Sequence, residues 1–291
     1  MALSGVETLL MPLFMFLLML GMGATLTADN FRQVLHHPTP VLIGLASQYG
    51  WMPLIALVLA LLLNLPAANA VGLVIMGCIA GGPVSNFFTY LGRGDLALSV
   101  SMTAISTLTG FVMIPLMLLI YTAPFLHASA DHNLTIPFGK IFITLLAVLI
   151  PIGLGVFVRK HSLLWARRVE IGGTAAGLLM IVLAIAVTVL REFDAMLQVD
   201  PMVYLAGILL GPIGFILGFL GARALGLAIP QRRAVSLETG CQNVPLAMAI
   251  IMISFPIESQ PDILAAPIFF GIAITPLAAL TALLLRGYRR L

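Results

Sequence analysis

Glu238 stands in the stretch SLETGCQNVP (236–245) together with Gln242 and Asn243. The ten residues that follow, LAMAIIMISF, carry one weakly polar side chain, Ser254. A second polar pair, Ser85-Asn86, comes directly after Gly81-Gly82-Pro83 and Val84 in an apolar setting. The stretch LALSVSMTAISTLTG (96–110) adds Ser99, Thr103 and Ser106 at i, i+4 and i+7, one helix face that Gly110 continues. Glu238, Gln242, Asn86, Ser85, Ser99 and Thr103 offer only oxygen ligands and a single negative charge. Hard cations take oxygen, whereas softer metals take thiolate or imidazole. One carboxylate among neutral oxygens suits Na⁺ better than Ca²⁺, which usually collects several carboxylates. On spacing alone, the hydroxyl stripe serves ion ligation and interhelical hydrogen bonding equally.

The elements that must hold these residues are membrane spans. The chain has 291 residues, 61% hydrophobic and 9% charged, with a mean hydropathy of +1.13; a soluble domain carries about 25% charged residues. In such a chain a pI of about 9.1 does not point to nucleic acid; Lys and Arg act as topology signals. Nine stretches reach the ~20 mostly apolar residues a span needs, at roughly 6–27, 40–63, 69–91, 96–122, 138–158, 171–191, 201–226, 234–256 and 262–286. The links are short and leave no soluble domain. Twelve of the fourteen Lys and Arg residues fall in odd-numbered links or the C-terminus, and only Lys140 and Arg191 in even ones. That sorting places the C-terminus in the cytoplasm and the N-terminus outside. No Lys or Arg precedes Arg32, so the positive n-region of a signal peptide is missing and the first helix is expected to be retained. The link 123–137 holds the sequon Asn133-Leu134-Thr135 on the predicted outer side, an acceptor only in a eukaryotic secretory pathway. Cys78 and Cys241 lie in apolar segments and form no disulfide framework. His36–His37, with no Cys or acidic cluster beside it, reads as a solvated loop pair and not a metal site.

Two spans are interrupted. Segment three breaks at Gly81-Gly82-Pro83; segment eight is expected to break at Thr239-Gly240 and again at Pro245. Asn86 and Asn243 are 157 residues apart, and Pro53 and Pro212 are 159 apart. Segments one to four therefore read as a repeat of segments six to nine, inverted by segment five. Breaking a helix in hydrocarbon frees backbone groups that protein, ions or water must satisfy. Paired breaks in inverted halves mark a transporter's binding site. Glu238 inside a span costs about 2.5–3.5 kcal/mol on insertion scales, so a carboxylate there marks a site. In segment seven, glycines at 207, 211, 214, 218 and 221 set a small-residue spacing for close helix packing.

An intramembrane enzyme with Glu238 as base needs a second group at membrane depth, and no histidine lies there. Neither a His-Glu-x-x-His nor a Gly-x-Ser-x-Gly motif occurs. A sodium channel or receptor would share the oxygen-rich site without needing inverted halves.

Three motifs, SQYGWMP (47–53), GGPVSNFFTYLGRGDLALSVSMT (81–103) and RRAVSLETGCQNV (232–244), make the chain resemble the bile acid:sodium symporter family over nearly its whole length. The resemblance implies an all-α polytopic membrane protein of the nine-span type, an inverted repeat with two broken crossing helices. It implies a panel (1–37 and 138–199; segments one, five and six) and a core (38–137 and 200–291; segments two to four and seven to nine). The extra N-terminal helix of many bacterial relatives is expected to be lacking. It also implies two Na⁺ sites. The first would use Ser85, Asn86, Ser99, Thr103 and Glu238. The second would use Gln48 and Gln242, Glu238 again, and the carbonyls of Thr239 and Cys241. Asn243 would face the substrate. Pro83 stands where relatives commonly carry a polar residue, and Ala80 where they carry proline, which removes a substrate hydrogen bond. The implied activity is sodium-coupled symport of an organic anion into the cell by alternating access, by a monomer in the plasma membrane or bacterial inner membrane. The alternative cargo is a small organic acid such as pantoate; more distant carriers in the resemblance export arsenite.

Overall fold

The computed structural model describes residues 5–27, 32, 38–128, 135–191 and 198–288. His36, His37, His132, Asn133, Arg289 and Arg290 lie outside the described residues, and the sequon and the histidine pair with them. Among the described residues every regular element is a helix. In chain order these are α1 (Gly5–Thr25), α2 (Pro38–Ala46), a π turn (Ser47–Trp51) that continues into α3 (Met52–Leu62), α4 (Ala67–Cys78) and α5 (Val84–Leu91). There follow α6 (Leu96–Tyr121), the short α7 (Ala123–Ala128), α8 (Phe138–His161) and α9 (Leu163–Arg191). The chain continues with α10 (Pro201–Ala224), α11 (Ile229–Gly240), α12 (Val244–Ser254) and, after a 3₁₀ turn (Ile257–Ser259), α13 (Gln260–Gly287).

Five of these stretches are long and apolar enough to cross a membrane: Pro38–Leu62, Leu96–Tyr121, Phe138–His161, Pro201–Ala224 and Ile257–Gly287. α4 and α12 are apolar but short, because each is one half of an interrupted helix. The chain is a multi-pass, all-α membrane protein.

Three boundaries differ from the sequence reading. α11 runs unbroken through Thr239-Gly240, and the interruption falls at 241–243. Pro245 makes no second break, since it lies in the first turn of α12, where its missing N–H removes no helical bond. α9 begins at Leu163, ahead of the apolar stretch that starts at 171, because hydropathy marks the lipid-facing length and not the helix. The π turn and α7 have no hydropathy signature at all.

α1 packs along α8 and α9, while α10 packs against α11 and α13, and α4 against α3 and α13. The glycine row of α10 lets α11 pack close against it. A Cβ at Gly214 would stand 3.1 Å from Gly240 Cα, and one at Gly218 would stand 3.0 Å from Thr239. The opposite end of α11 is fastened by Arg233, which is buried. Its guanidinium donates to the Arg93 carbonyl at 3.1 Å and the Tyr288 carbonyl at 2.8 Å. Beside it, the Asp95 amide donates to the Pro230 carbonyl at 2.9 Å. The ends of α5, α11 and α13 are held together there, and Glu238 follows Arg233 by five residues on α11.

Candidate functional site

The two helix interruptions meet. α4 ends at Cys78, Ile79 is extended, and α5 resumes at Val84 with Pro83 as its N-cap. Gly81 pairs antiparallel with Gln242 across the gap. The carbonyls freed by the first break find partners: Ile79 accepts from Gln48 Nε2 at 2.8 Å, Ala80 from the Asn243 amide at 3.2 Å, and Gly82 from the Ser85 amide at 3.1 Å. This is the internal satisfaction that hydrocarbon surroundings demand. The paired glycines are needed for the approach itself. A Cβ on Gly81 would run into Glu238 Oε1, and one on Gly82 would stand 3.1 Å from Asn243 Cα.

Glu238, in the last turn of α11, is 1% exposed, and among the described residues it is the one buried acid. Ser85 Oγ donates to its Oε2 at 2.5 Å, Ser99 Oγ to Oε2 at 3.0 Å, and Thr103 Oγ1 to Oε1 at 2.5 Å. Asn86 joins through Ser99, whose hydroxyl also lies 2.8 Å from Asn86 Oδ1. A hydrogen bond to a charged group contributes about 1.5–3 kcal/mol, so three hydroxyls offset much of the cost of burying the carboxylate. None of these partners is a cation. A hydroxyl carries one proton and two lone pairs, and the lone pairs are free to turn to an ion. Among the described residues no three His, Cys, Asp or Glu side chains cluster as a metal group, so the donor set is one carboxylate among neutral oxygens.

A second group lies on the other side of the Gly81–Gln242 pairing. Gln48 projects from the π turn, donating to Gln242 Oε1 at 2.8 Å as well as to Ile79. Gln242 Nε2 donates to the Thr239 carbonyl at 3.2 Å. Gln48 Oε1 is buried and has no hydrogen-bond partner among the described residues. An orphaned buried acceptor is costly, and a cation is one species that would satisfy it.

Asn243 caps α12 through Oδ1, which accepts from the Leu246 amide at 3.1 Å, while its buried Nδ2 has no partner among the described residues. Asn243, Pro83 and Cys241 line a partly open cavity, and Leu18 of α1 with Thr174 and Gly177 of α9 form its far wall. Pro83 offers that cavity no side-chain hydrogen bond.

Of the expected residues, Ser85, Asn86, Ser99, Thr103 and Glu238 come together in one group and Gln48, Gln242 and the Thr239 carbonyl in another, while Cys241 lines the cavity beside Asn243. Ser106 is not among them; its hydroxyl turns back to the Thr103 carbonyl at 3.2 Å. Sequence reasoning missed Thr89, whose buried hydroxyl lies 3.1 Å from Ser99 Oγ. The signal was present, since Thr89 follows Ser85 by four residues and shares its helix face. It also missed Ser47, which accepts from Thr239 Oγ1 at 2.9 Å.

Fold and site together define a polytopic helical membrane protein built round a buried, oxygen-surrounded carboxylate. The chain belongs to the sodium bile acid symporter family, whose model, described as Sodium Bile acid symporter family, matches residues 12–198. It is 35% identical over 252 residues to the uncharacterized sodium-dependent transporter YocS of Bacillus subtilis (strain 168), covering 86% of this chain and 76% of that one. It is 33% identical over 271 residues to the sodium-dependent organic anion transporter of Homo sapiens (92% and 70% of the two chains). With the ileal sodium/bile acid cotransporter of Oryctolagus cuniculus the identity is 32% over 292 residues (99% and 81%).

Proposed function

We propose that this protein is a sodium-coupled symporter that carries an organic anion into the cell. The observation that carries the reading is Glu238, a buried carboxylate whose side-chain partners in the described structure are hydroxyls from α5 and α6. A carboxylate so placed is a ready counter-charge for a cation. Na⁺ at the first site is held by Ser85, Asn86, Ser99, Thr103 and Glu238. A second Na⁺ is held by Gln48, Gln242, Glu238 and the carbonyls of Thr239 and Cys241. The orphaned Gln48 oxygen supports the second site, and relatives named as sodium-dependent support Na⁺ as the ion.

The anion occupies the cavity beside Asn243, whose unpartnered Nδ2 is a donor for it. Relatives named for bile acid and organic anions support this cargo class. In this reading nine spans form an inverted repeat, with α4–α5 and α11–α12 as the crossing pair. Residues 38–137 and 200–291 form the core, and residues 1–37 and 138–199 the panel. The cavity, walled by α1 and α9 on one side and both breaks on the other, opens alternately to each face as core and panel rock. The N-terminus lies outside and the C-terminus in the cytoplasm, and the working unit is a monomer.

A thermal-shift screen of organic anions tests the reading. True substrates stabilise the purified protein in NaCl well beyond their effect in KCl, because ions and anion bind the same state. A screen in which no anion shows that synergy contradicts it.

A further inference from the structure

Tyr49 follows Gln48 in the π turn, is 6% exposed, and donates its hydroxyl to the Ser106 carbonyl of α6. That carbonyl lies in the turn of α6 that begins at Thr103. The Thr103 carbonyl accepts from Thr107 Oγ1 at 2.8 Å and Ser106 Oγ at 3.2 Å, while its hydroxyl reaches Glu238. Gly110 opens the space Tyr49 uses, since a Cβ there would stand 3.2 Å from the tyrosine hydroxyl. One buried hydrogen bond therefore joins the turn carrying Gln48 to the turn carrying Thr103. Neither residue of that bond is among those that face the carboxylate or the orphaned amide oxygen.

A π turn within a helix is rare and often marks a functional position. Its register here is set by side-chain anchors: Ser47 to Thr239, Gln48 to Ile79 and Gln242, and Tyr49 to Ser106. We propose that Tyr49 is a positioning residue that couples the two sodium sites. The inference rests on the two-site reading of the proposed function. When Na⁺ fills the first site, the Thr103 hydroxyl turns its oxygen to the ion and fixes that turn of α6. Through Tyr49 the π turn is fixed with it, and Gln48 is presented to the second ion. Coupling of this kind is reciprocal, so each ion raises the affinity for the other.

The test uses the purified full chain, with melting temperature followed as NaCl replaces KCl at constant ionic strength. Tyr49→Phe keeps the ring and removes the donor. Gly110→Ala keeps the donor and crowds it from its acceptor, so it decides the question should Tyr49→Phe fold poorly. Both variants are expected to raise the sodium midpoint about two- to tenfold, the worth of one hydrogen bond. Both flatten the titration from cooperative toward independent sites, a change that loss of packing alone does not produce. A parent protein with no response to sodium removes the two-site reading and this inference with it. A parent that responds cooperatively, beside variants of unchanged midpoint and steepness, overturns the coupling role alone.

Discussion

Ser85 Oγ and Glu238 Oε2 lie 2.5 Å apart although 153 residues separate them in the chain. One stands just after the first helix break and the other in the last turn before the second. Their contact exists because Gly81 and Gly82 let two interrupted helices meet backbone to backbone. A carboxylate that is expensive in a membrane is thereby surrounded by hydroxyls and not by a fixed positive charge.

Glu238→Gln keeps the shape of the side chain and removes its charge. Because both ions share Glu238 in the proposed mechanism, the variant is expected to lose sodium-dependent stabilisation entirely. At sodium a hundred times its Kd, the parent gains about 2.7 kcal/mol per site and the variant none. Melting curves in NaCl and KCl measure the difference. A variant with the parent's sodium response would show the carboxylate to be structural.

Gln242→Ala removes the acceptor of Gln48 Nε2 and the donor to the Thr239 carbonyl, but nothing from the group around Ser85 and Thr103. Sodium stabilisation is expected to persist with the dependence of one ion where the parent shows two. Loss of the whole response, equal to that of Glu238→Gln, would mean the two groups are one site.

Gly81→Ala places a methyl against Glu238 Oε1. Overpacking of this kind costs typically about 1–3 kcal/mol, and here it also turns the carboxylate from its hydroxyl partners. The expected result is a lower melting temperature together with a weakened sodium response. Gly226→Ala, at a positive φ of 79° with no neighbour near its Cβ position, is expected to lower stability without touching the sodium response. Equal sodium responses in the two variants would contradict the packing argument.

The topology rests on charge sorting, and single cysteines test it. The two native cysteines are buried, so Ala130→Cys and Leu163→Cys report cleanly. With an impermeant maleimide on intact cells, position 130 is expected to label and position 163 to stay protected. Labelling of 163 from outside would reverse the orientation and the direction of transport drawn from it.

The polar residues around Glu238 are legible in the sequence because a carboxylate, an amide or a hydroxyl row in an apolar run is itself the signal. Gln48 is different. A single amide in SQYGWMP has a bland reading, and only the family resemblance singles it out; the π turn that aims it has no mark in hydropathy or propensity. Pro245 misleads for a related reason, since proline breaks a helix in its interior but starts one in its first turn. The start of α9 falls earlier than hydropathy indicates because Arg167, Arg168 and Glu170 end the apolar stretch without ending the helix. Tertiary pairing of the two breaks lies beyond any local pattern. It follows from glycines whose missing Cβ atoms matter only once the second segment is in place.

Proteoliposomes holding the purified protein and an anion chosen by the thermal-shift screen test sodium coupling most directly. Two Na⁺ entering with a monovalent anion carry one net charge, worth about 2.3 kcal/mol per 100 mV. An inward Na⁺ gradient is therefore expected to drive accumulation of the unmodified anion, and an inside-negative potential to increase it. Accumulation that continues undiminished when choline replaces Na⁺ would contradict sodium coupling.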